Sequence, residues 1–411
     1  MEADLLWWRV VLPEIRNPKV WVAVGASVWL QAIGCGTTVS SKPPHDQGTD
    51  AGADDVADSR VTDGDASADQ STDVLADRPD DRELQTLCEA SPSELMEAST
   101  TWPDLVARTT NGCVWRWRYL DSGMGSLVDQ ATNPSQVTSF SGVQSLDYRG
   151  SWLCTVVDRR ATCTGVTSRS AIAPVDDATT VATGGDAMCA IRTDGTVRCA
   201  GGMQRRDAVS QPFYPVEYAI PAPVVGVERA IQIISIPPYF FATSESGRVW
   251  SWDGSLVARD YPAFFGATML ARNGPQLLAR MGDGTVRCAG YNTQRECDDS
   301  GRASIAPDQP VTLEGVRDVV EVATAHSYAV YALRRDGTLL RRGRVRVNRA
   351  GQVGAQPTEP EVVASPTDVV RIRGGLGDLL AVRRDGSVWS IHLPTADGVP
   401  SVTRVPGFGP P

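Results

Sequence analysis

A β-hairpin signal that returns seven times between Asn111 and Gly386 constrains this chain more than any other feature. Its fullest form is TGGDAMCAIRTDGTVRCAGG, residues 183–202, in which Cys189-Ala190-Ile191-Arg192 and Thr196-Val197-Arg198-Cys199 flank Thr193-Asp194-Gly195. A three-residue loop with Gly in the left-handed conformation suits a hairpin, and it sets Cys189 directly opposite Cys199. The turn recurs as Asn111-Gly112, Ser246-Gly247, Asp283-Gly284, Asp336-Gly337 and Asp385-Gly386, with Asp158-Arg159 completing the series. Successive separations of 47, 36, 52, 37, 53 and 49 residues average about 46, which is blade length rather than helical-repeat length.

Five positions before the turn glycine stands Ala107, Ala190, Ala242, Ala279, Ala332 or Ala381. A small residue recurring there implies crowded strands, as the inner strands of propeller blades are around a central channel. After each glycine the second residue is aliphatic, as in Thr196-Val197-Arg198, Arg248-Val249-Trp250 and Ser387-Val388-Trp389. Another strand-like run precedes several hairpins, for example residues 318–323 and 368–372. Short strands, turn signals and no sustained helical period predict an all-β fold built by radial repetition.

The sequence of strand, Gly-rich turn and Ala-Leu-x-x-Asp-Gly-x-Val resembles the regulator of chromosome condensation repeat. Residues 185–201, 279–292 and 315–343 match it best, and the resemblance covers about residue 101 to the C-terminus. It implies a seven-bladed β-propeller. The chain departs from the family in keeping its pre-hairpin His only as His326, in replacing Trp-Gly by Ala200-Gly201 and Ala289-Gly290, and in placing Arg159 at a turn Gly. It is identified as a divergent bacterial member, and the partners of eukaryotic relatives are not carried over to it.

Residues 1–34 read as a lipoprotein signal peptide. Arg9, Arg16 and Lys19 precede an apolar run, residues 20–34, that ends in small residues before Cys35. Ala32-Ile33-Gly34-Cys35 resembles a lipobox, which implies cleavage before Cys35 and lipid on it. The run falls short of the roughly 20 residues that span a bilayer. Residues 35–87 read as a disordered acidic tether, since they hold almost no aromatic or large aliphatic side chains. Residues 41–90 contain 14 acidic and 4 basic residues and so account for the whole net charge of −10. The propeller is assigned to residues 88–411, and the 321 residues that follow residue 90 carry 32 charges of each sign and are neutral, which with export argues against a nucleic-acid partner. The C-terminal run 401–407 resembles the opening of another repeat, so the two chain ends are expected to share a blade and close the ring.

Nine cysteines leave eight after lipidation of Cys35. In an exported chain these predict disulfides. Cys189 with Cys199, and Cys154 with Cys163, face each other across single hairpins. Cys288 faces Leu278, so its partner is the nearby Cys297, and Cys88 takes Cys113 by elimination. A zinc site fits poorly, because no Cys-x-x-Cys pair is present and there are three histidines. No metal or cofactor is expected.

No nucleophile elbow, phosphate-binding loop or zinc-protease helix is present. The Asp-Gly turn carboxylates are explained by turn hydrogen bonding. Two features suggest a binding surface: an arginine cluster, Arg341, Arg342, Arg344 and Arg346, with Arg349 and the preceding Arg334 and Arg335; and the tyrosines Tyr214, Tyr239 and Tyr261 beside Phe and Pro. Phe240, Phe241, Phe264 and Phe265 are expected on strands, in the core. The reading is a non-enzymatic, monomeric propeller, anchored by lipid in the cell envelope, at the outer membrane or cell surface, that binds an envelope protein or polysaccharide. The alternatives are an inhibitor that plugs an enzyme with one face, as a propeller-type β-lactamase inhibitor of similar repeats does, and a polysaccharide-acting enzyme with two convergent carboxylates.

Overall fold

The computed structural model describes residues 95–101, 104–118, 135–136, 141–149, 152–165, 172–207, 211–293, 295–325, 329–343, 359–374, 379–392, 401–405 and 408. The expected signal peptide and tether, with Cys35 and Cys88, lie outside them, as do His326, Arg344, Arg346 and Arg349.

Among the described residues the strands form seven antiparallel sheets, each built from consecutive strands. The inner strands are Leu95–Thr101, Val143–Arg149, Ala178–Gly184, Ala230–Ile236, Ala267–Asn273, Val319–Ala325 and Val369–Arg373. Each is followed by a hairpin of two strands and an outer strand, short in every blade but the third, where it runs Tyr214–Pro223, with a fifth short strand, Val311–Thr312, added in blade five. Among the described residues the one helical turn is a 3₁₀ segment, Pro262–Phe264. The chain is a seven-bladed β-propeller.

All seven expected hairpins join the second and third strands of a blade. The three-residue loop at Thr193-Asp194-Gly195 has Gly195 at φ +77°, and Cys189 pairs with Cys199. In blade two, Asp158 and Arg159 form a two-residue loop with φ of 48° and 61°, the doubly left-handed geometry of a type I′ turn. These glycines do a second job. Their carbonyls accept the N–H at the start of the next blade: Gly112 from Val143 (3.1 Å), Gly195 from Ala230 (3.0 Å), Gly247 from Gly266 (2.9 Å) and Gly284 from Val319 (3.0 Å), while Arg159 accepts from Ala178 at 2.7 Å.

The recurring alanines are buried, 0–2% exposed, but they lie on the second strands rather than the inner ones. There they sit in clusters that span adjacent blades. One such cluster joins Ala182, Ile191 and Cys199 of blade three to Ile233, Phe240 and Trp250 of blade four. The hydrophobic core is thus a set of inter-blade seams, and burial of each seam stabilises two blades at once. Phe240 and Phe241 are core residues on a strand. Phe264 is fully buried but on the 3₁₀ turn, and Phe265 is 40% exposed just beyond it. The expectation of strands there fails because Pro262 starts a helical turn.

The two ends do not share a blade. Blade one takes its outer strand from Ser135–Gln136, and the C-terminal strand Ser401–Arg404 is the outer strand of blade seven. The ring closes by packing: Leu95 and Ala107 meet Leu380, Val382, Val405 and Phe408, and Arg373 Nε donates to the Met96 carbonyl at 3.1 Å.

Three disulfides, Cys154–Cys163, Cys189–Cys199 and Cys288–Cys297, bridge Cα atoms 4.0, 4.0 and 5.5 Å apart. The first two cross single hairpins, and the third ties a strand to the loop after it. They point to an oxidising, exported environment. Cys113 is fully buried and disulfide-bonded, and its expected partner Cys88 is outside the described residues.

Four turn aspartates accept hydrogen bonds from the residue two places on. Asp194 takes the Thr196 hydroxyl (2.6 Å) and N–H (2.9 Å), Asp283 those of Thr285, Asp336 the Thr338 N–H (2.8 Å), and Asp385 the Ser387 hydroxyl and N–H. These bonds hold all four carboxyls below the ordinary aspartate range. A depressed folded-state pKa contributes stability above the unfolded value of about 3.9 and loses it as pH falls through the lowered value. Urea midpoints of the wild type should therefore drop more steeply below about pH 4 than those of the fourfold Asp→Asn variant. Parallel curves would refute this account of the turns.

Candidate functional site

The inner strands surround an axial cavity of about 460 Å³ with lining residues from all seven of them. That volume is in the range of small-ligand sites, about 300–1,000 Å³. Its construction follows from a bulge near the start of every inner strand, where the register slips between the first and third paired residues, as between Leu95 and Glu97 or Val319 and Glu321.

In blades one, four and six the third residue reaches to the next blade. Glu97 Oε2 accepts the Leu146 N–H at 3.0 Å, and Glu321 Oε2 accepts the Ile372 N–H at 2.7 Å. Gln232 binds Leu270 twice, accepting its N–H (2.7 Å) and donating to its carbonyl (2.8 Å). At these three junctions backbone groups left unpaired between diverging blades are satisfied by side chains at one repeated position. Nothing in the sequence reading singled these residues out; the signal available was a polar residue within an otherwise apolar inner strand.

Deeper in the cavity, Asp147 of blade two and Arg272 of blade five pair across the axis, with Arg272 Nη2 at 2.7 and 2.9 Å from the two carboxylate oxygens. Both side chains are mostly buried, 13% and 19% exposed. Asp147 also accepts the Thr183 N–H (2.8 Å) and the Ser99 hydroxyl (3.2 Å). Arg272 Nη1 donates to the Ser235 carbonyl at 2.7 Å, and the Thr324 hydroxyl donates to the Arg272 carbonyl at 2.6 Å. One ion pair thus links blades one to six. Two more pairs flank it, Arg108 with Glu97 (3.2 Å) and Arg373 with Glu321 (3.1 Å). Burial pushes the Glu97 carboxyl up, against the opposing pull of Arg108.

Of the arginines expected to form a surface cluster, Arg341 and Arg342 lie outside this cavity. Arg341 and Arg342 are 8% and 5% exposed at the side chain. Arg341 pairs with Glu361, and Arg342 pairs with Asp299 at 3.1 Å and donates to the Glu314 carbonyl. They form no exposed cationic patch, because acids distant in sequence neutralise them. Tyr214 is 37% exposed and donates to Asp207 at 2.6 Å. Tyr239 packs edge-on against Phe213, and Tyr261 stacks on Phe264. Burial raises both of their phenol pKa values. The three tyrosines do not form one exposed surface.

Large exposed apolar side chains concentrate instead on the outer parts of blades three and four. Ile220 is 79% exposed on the outer strand Tyr214–Pro223, Val225 follows at 63% and Val257 stands at 51%. Val225 and Val257 are bridged, with Val225 N–H to the Leu256 carbonyl (2.8 Å) and Ala258 N–H to the Val225 carbonyl (2.9 Å).

No protein-family model and no curated protein matches the sequence. Solved structures do. Yeast RCC1 (Prp20), solved with Kap60, is 15% identical with TM-score 0.48 over 76% of this chain and 74% of that one. Prp20p from Saccharomyces cerevisiae, described with its binding to Gsp1p and histones, is 14% identical with TM-score 0.47, covering 76% of each chain. Human WBSCR16 is 14% identical with TM-score 0.43, over 76% of this chain and 82% of that one. The likeness is one of fold. The seven sheets bear out, at that level, the resemblance read from the repeats.

Among the described residues no group of three His, Cys, Asp or Glu side chains is arranged to hold a metal, and no helix is long and apolar enough to cross a membrane.

Proposed function

We propose that the chain is an exported, non-enzymatic binding module, held at the cell envelope by lipid on Cys35 and a tether over residues 35–87, that recognises a protein partner through the rim of blades three and four. The observation that carries this reading is the exposed apolar group Ile220, Val225 and Val257. Val225 and Val257 stand side by side across their bridge, with Ile220 exposed on the same blade as Val225, and grouped exposed apolar side chains mark interaction surfaces. The three disulfides support export. A protein fits the apolar rim better than a polysaccharide, which needs polar and aromatic contacts.

The test is a crosslinking pull-down from intact cells with three baits: the wild type, Cys35→Ser and the double variant Ile220→Ser/Val257→Ser. The wild type should recover one envelope protein and incorporate an alkynyl fatty acid. Cys35→Ser should lose the label, and the double variant should lose the partner while keeping it. A partner retained by the double variant sinks the rim assignment; an unlabelled wild type sinks the anchor.

A further inference from the structure

The charges lining the axial cavity do not balance. Four guanidinium groups face it, those of Arg108, Arg149, Arg272 and Arg373. Three have carboxylate partners in Glu97, Asp147 and Glu321. Arg149 has none: among the described residues its one hydrogen bond runs from Nη1 to the Ser235 carbonyl at 2.8 Å. That carbonyl already accepts Arg272 Nη1 at 2.7 Å, so two cations converge on one neutral oxygen. The nearby carboxylate, Asp147, is occupied by both contacts from Arg272 Nη2 and by the Thr183 N–H and Ser99 hydroxyl. Burial and the adjacent Arg272 lower Arg149 to about 10, which leaves it charged at neutral pH.

A surplus, half-buried cation beside a second cation is unfavourable unless something negative joins it. The guanidinium has five donors, of which one is used. Ile234, Met269 and Ala271 add apolar side chains to the cavity lining. We propose that the axial cavity binds a small carboxylate- or phosphate-bearing anion, anchored by the Arg149 guanidinium. A planar fork of N–H donors suits a bidentate oxyanion, and the 460 Å³ volume admits a metabolite-sized body behind the charged group. This site is separate from the rim of blades three and four and does not depend on a macromolecular partner.

Titration calorimetry on the full chain with intact disulfides tests it, with inorganic phosphate and malonate as probes against chloride at matched ionic strength. Saturable binding of phosphate or malonate is expected, and the stronger of the two identifies the anion class. Arg149→Gln should weaken that binding at least tenfold, and Arg149→Lys, which keeps the charge but not the fork, by less. Removing the surplus charge should also leave the Arg149→Gln melting temperature in anion-free buffer equal to or above that of the wild type. Two outcomes overturn the proposal. One is absence of saturable binding of either probe, or its full retention in Arg149→Gln. The other is an Arg149→Gln protein that melts well below the wild type or fails to fold, which would make Arg149 a strut for the Ser235 carbonyl.

Discussion

Gly195→Val is expected to destabilise the propeller by about 3–5 kcal/mol, the sum of a strained backbone and an overpacked joint. Gly195 sits at φ +77°, where a β-branched residue is a severe outlier. A Cβ there would stand 2.5 Å from the Arg229 Cα and 3.0 Å from its nitrogen, both backbone atoms of the next blade. Neither can move aside without breaking the Ala230 N–H bond to the Gly195 carbonyl. The matched control is Arg159→Gly in blade two. Arg159 already holds φ 61°, so glycine relieves about 1 kcal/mol of left-handed strain and returns a similar amount as chain entropy. It also loses an exposed ion pair with Asp177, worth under about 1 kcal/mol. The control should therefore stay within about 1 kcal/mol of the wild type. Urea unfolding of both variants decides the matter, and a Gly195→Val midpoint equal to that of the wild type would show that blades three and four are not coupled through this turn.

That pair of variants also separates what the residues disclose from what they hide. A hairpin is local: its turn, the pairing of Cys189 with Cys199 and that of Cys154 with Cys163 follow from a few adjacent residues, and blade number follows from counting turns. The second role of Gly195 involves Arg229, which belongs to another repeat, so turn chemistry alone does not reveal it. The alanine column was readable as crowding but not as to which strand it occupies, since small residues crowd both at the axis and in the seams. Arg341 and Arg342 look like a solvated cationic pair until Glu361 and Asp299, 20 and 43 residues away from them, are folded against them. Shared closure by the chain ends was expected because any ring must hide its last edge, but packing of Val405 and Phe408 against Leu95 achieves it without strand exchange. The axial site was the least visible part. Asp147 and Arg272 are 125 residues apart, and their trace in the sequence is a charged residue inside an apolar inner strand, in Leu146-Asp147-Tyr148 and Leu270-Ala271-Arg272.

For the same reason the axial ion pair should be the most sensitive polar contact in the ring. Asp147→Ala leaves Arg149 and Arg272 side by side with no carboxylate between them and deprives the Thr183 N–H of its acceptor. Breaking a buried pair by removing one partner costs about 3–5 kcal/mol. Arg272→Met should cost less, because Asp147 keeps the Thr183 and Ser99 bonds and still faces Arg149. The double variant Asp147→Ala/Arg272→Met should recover part of the Asp147→Ala loss, giving a coupling of about 2 kcal/mol in a double-mutant cycle. Asp147→Asn, which keeps an oxygen for the Thr183 N–H but removes the charge, should fall between the wild type and Asp147→Ala, because the unpaired cations remain the larger penalty. If Asp147→Ala unfolds at the wild-type midpoint, or the cycle shows no coupling, the cross-axis pair is screened by water and the ring is held by its apolar seams alone. If the ordering holds, blades two and five are joined through the centre as well as around the rim, and the charge balance at the axis, not only its volume, determines what can enter.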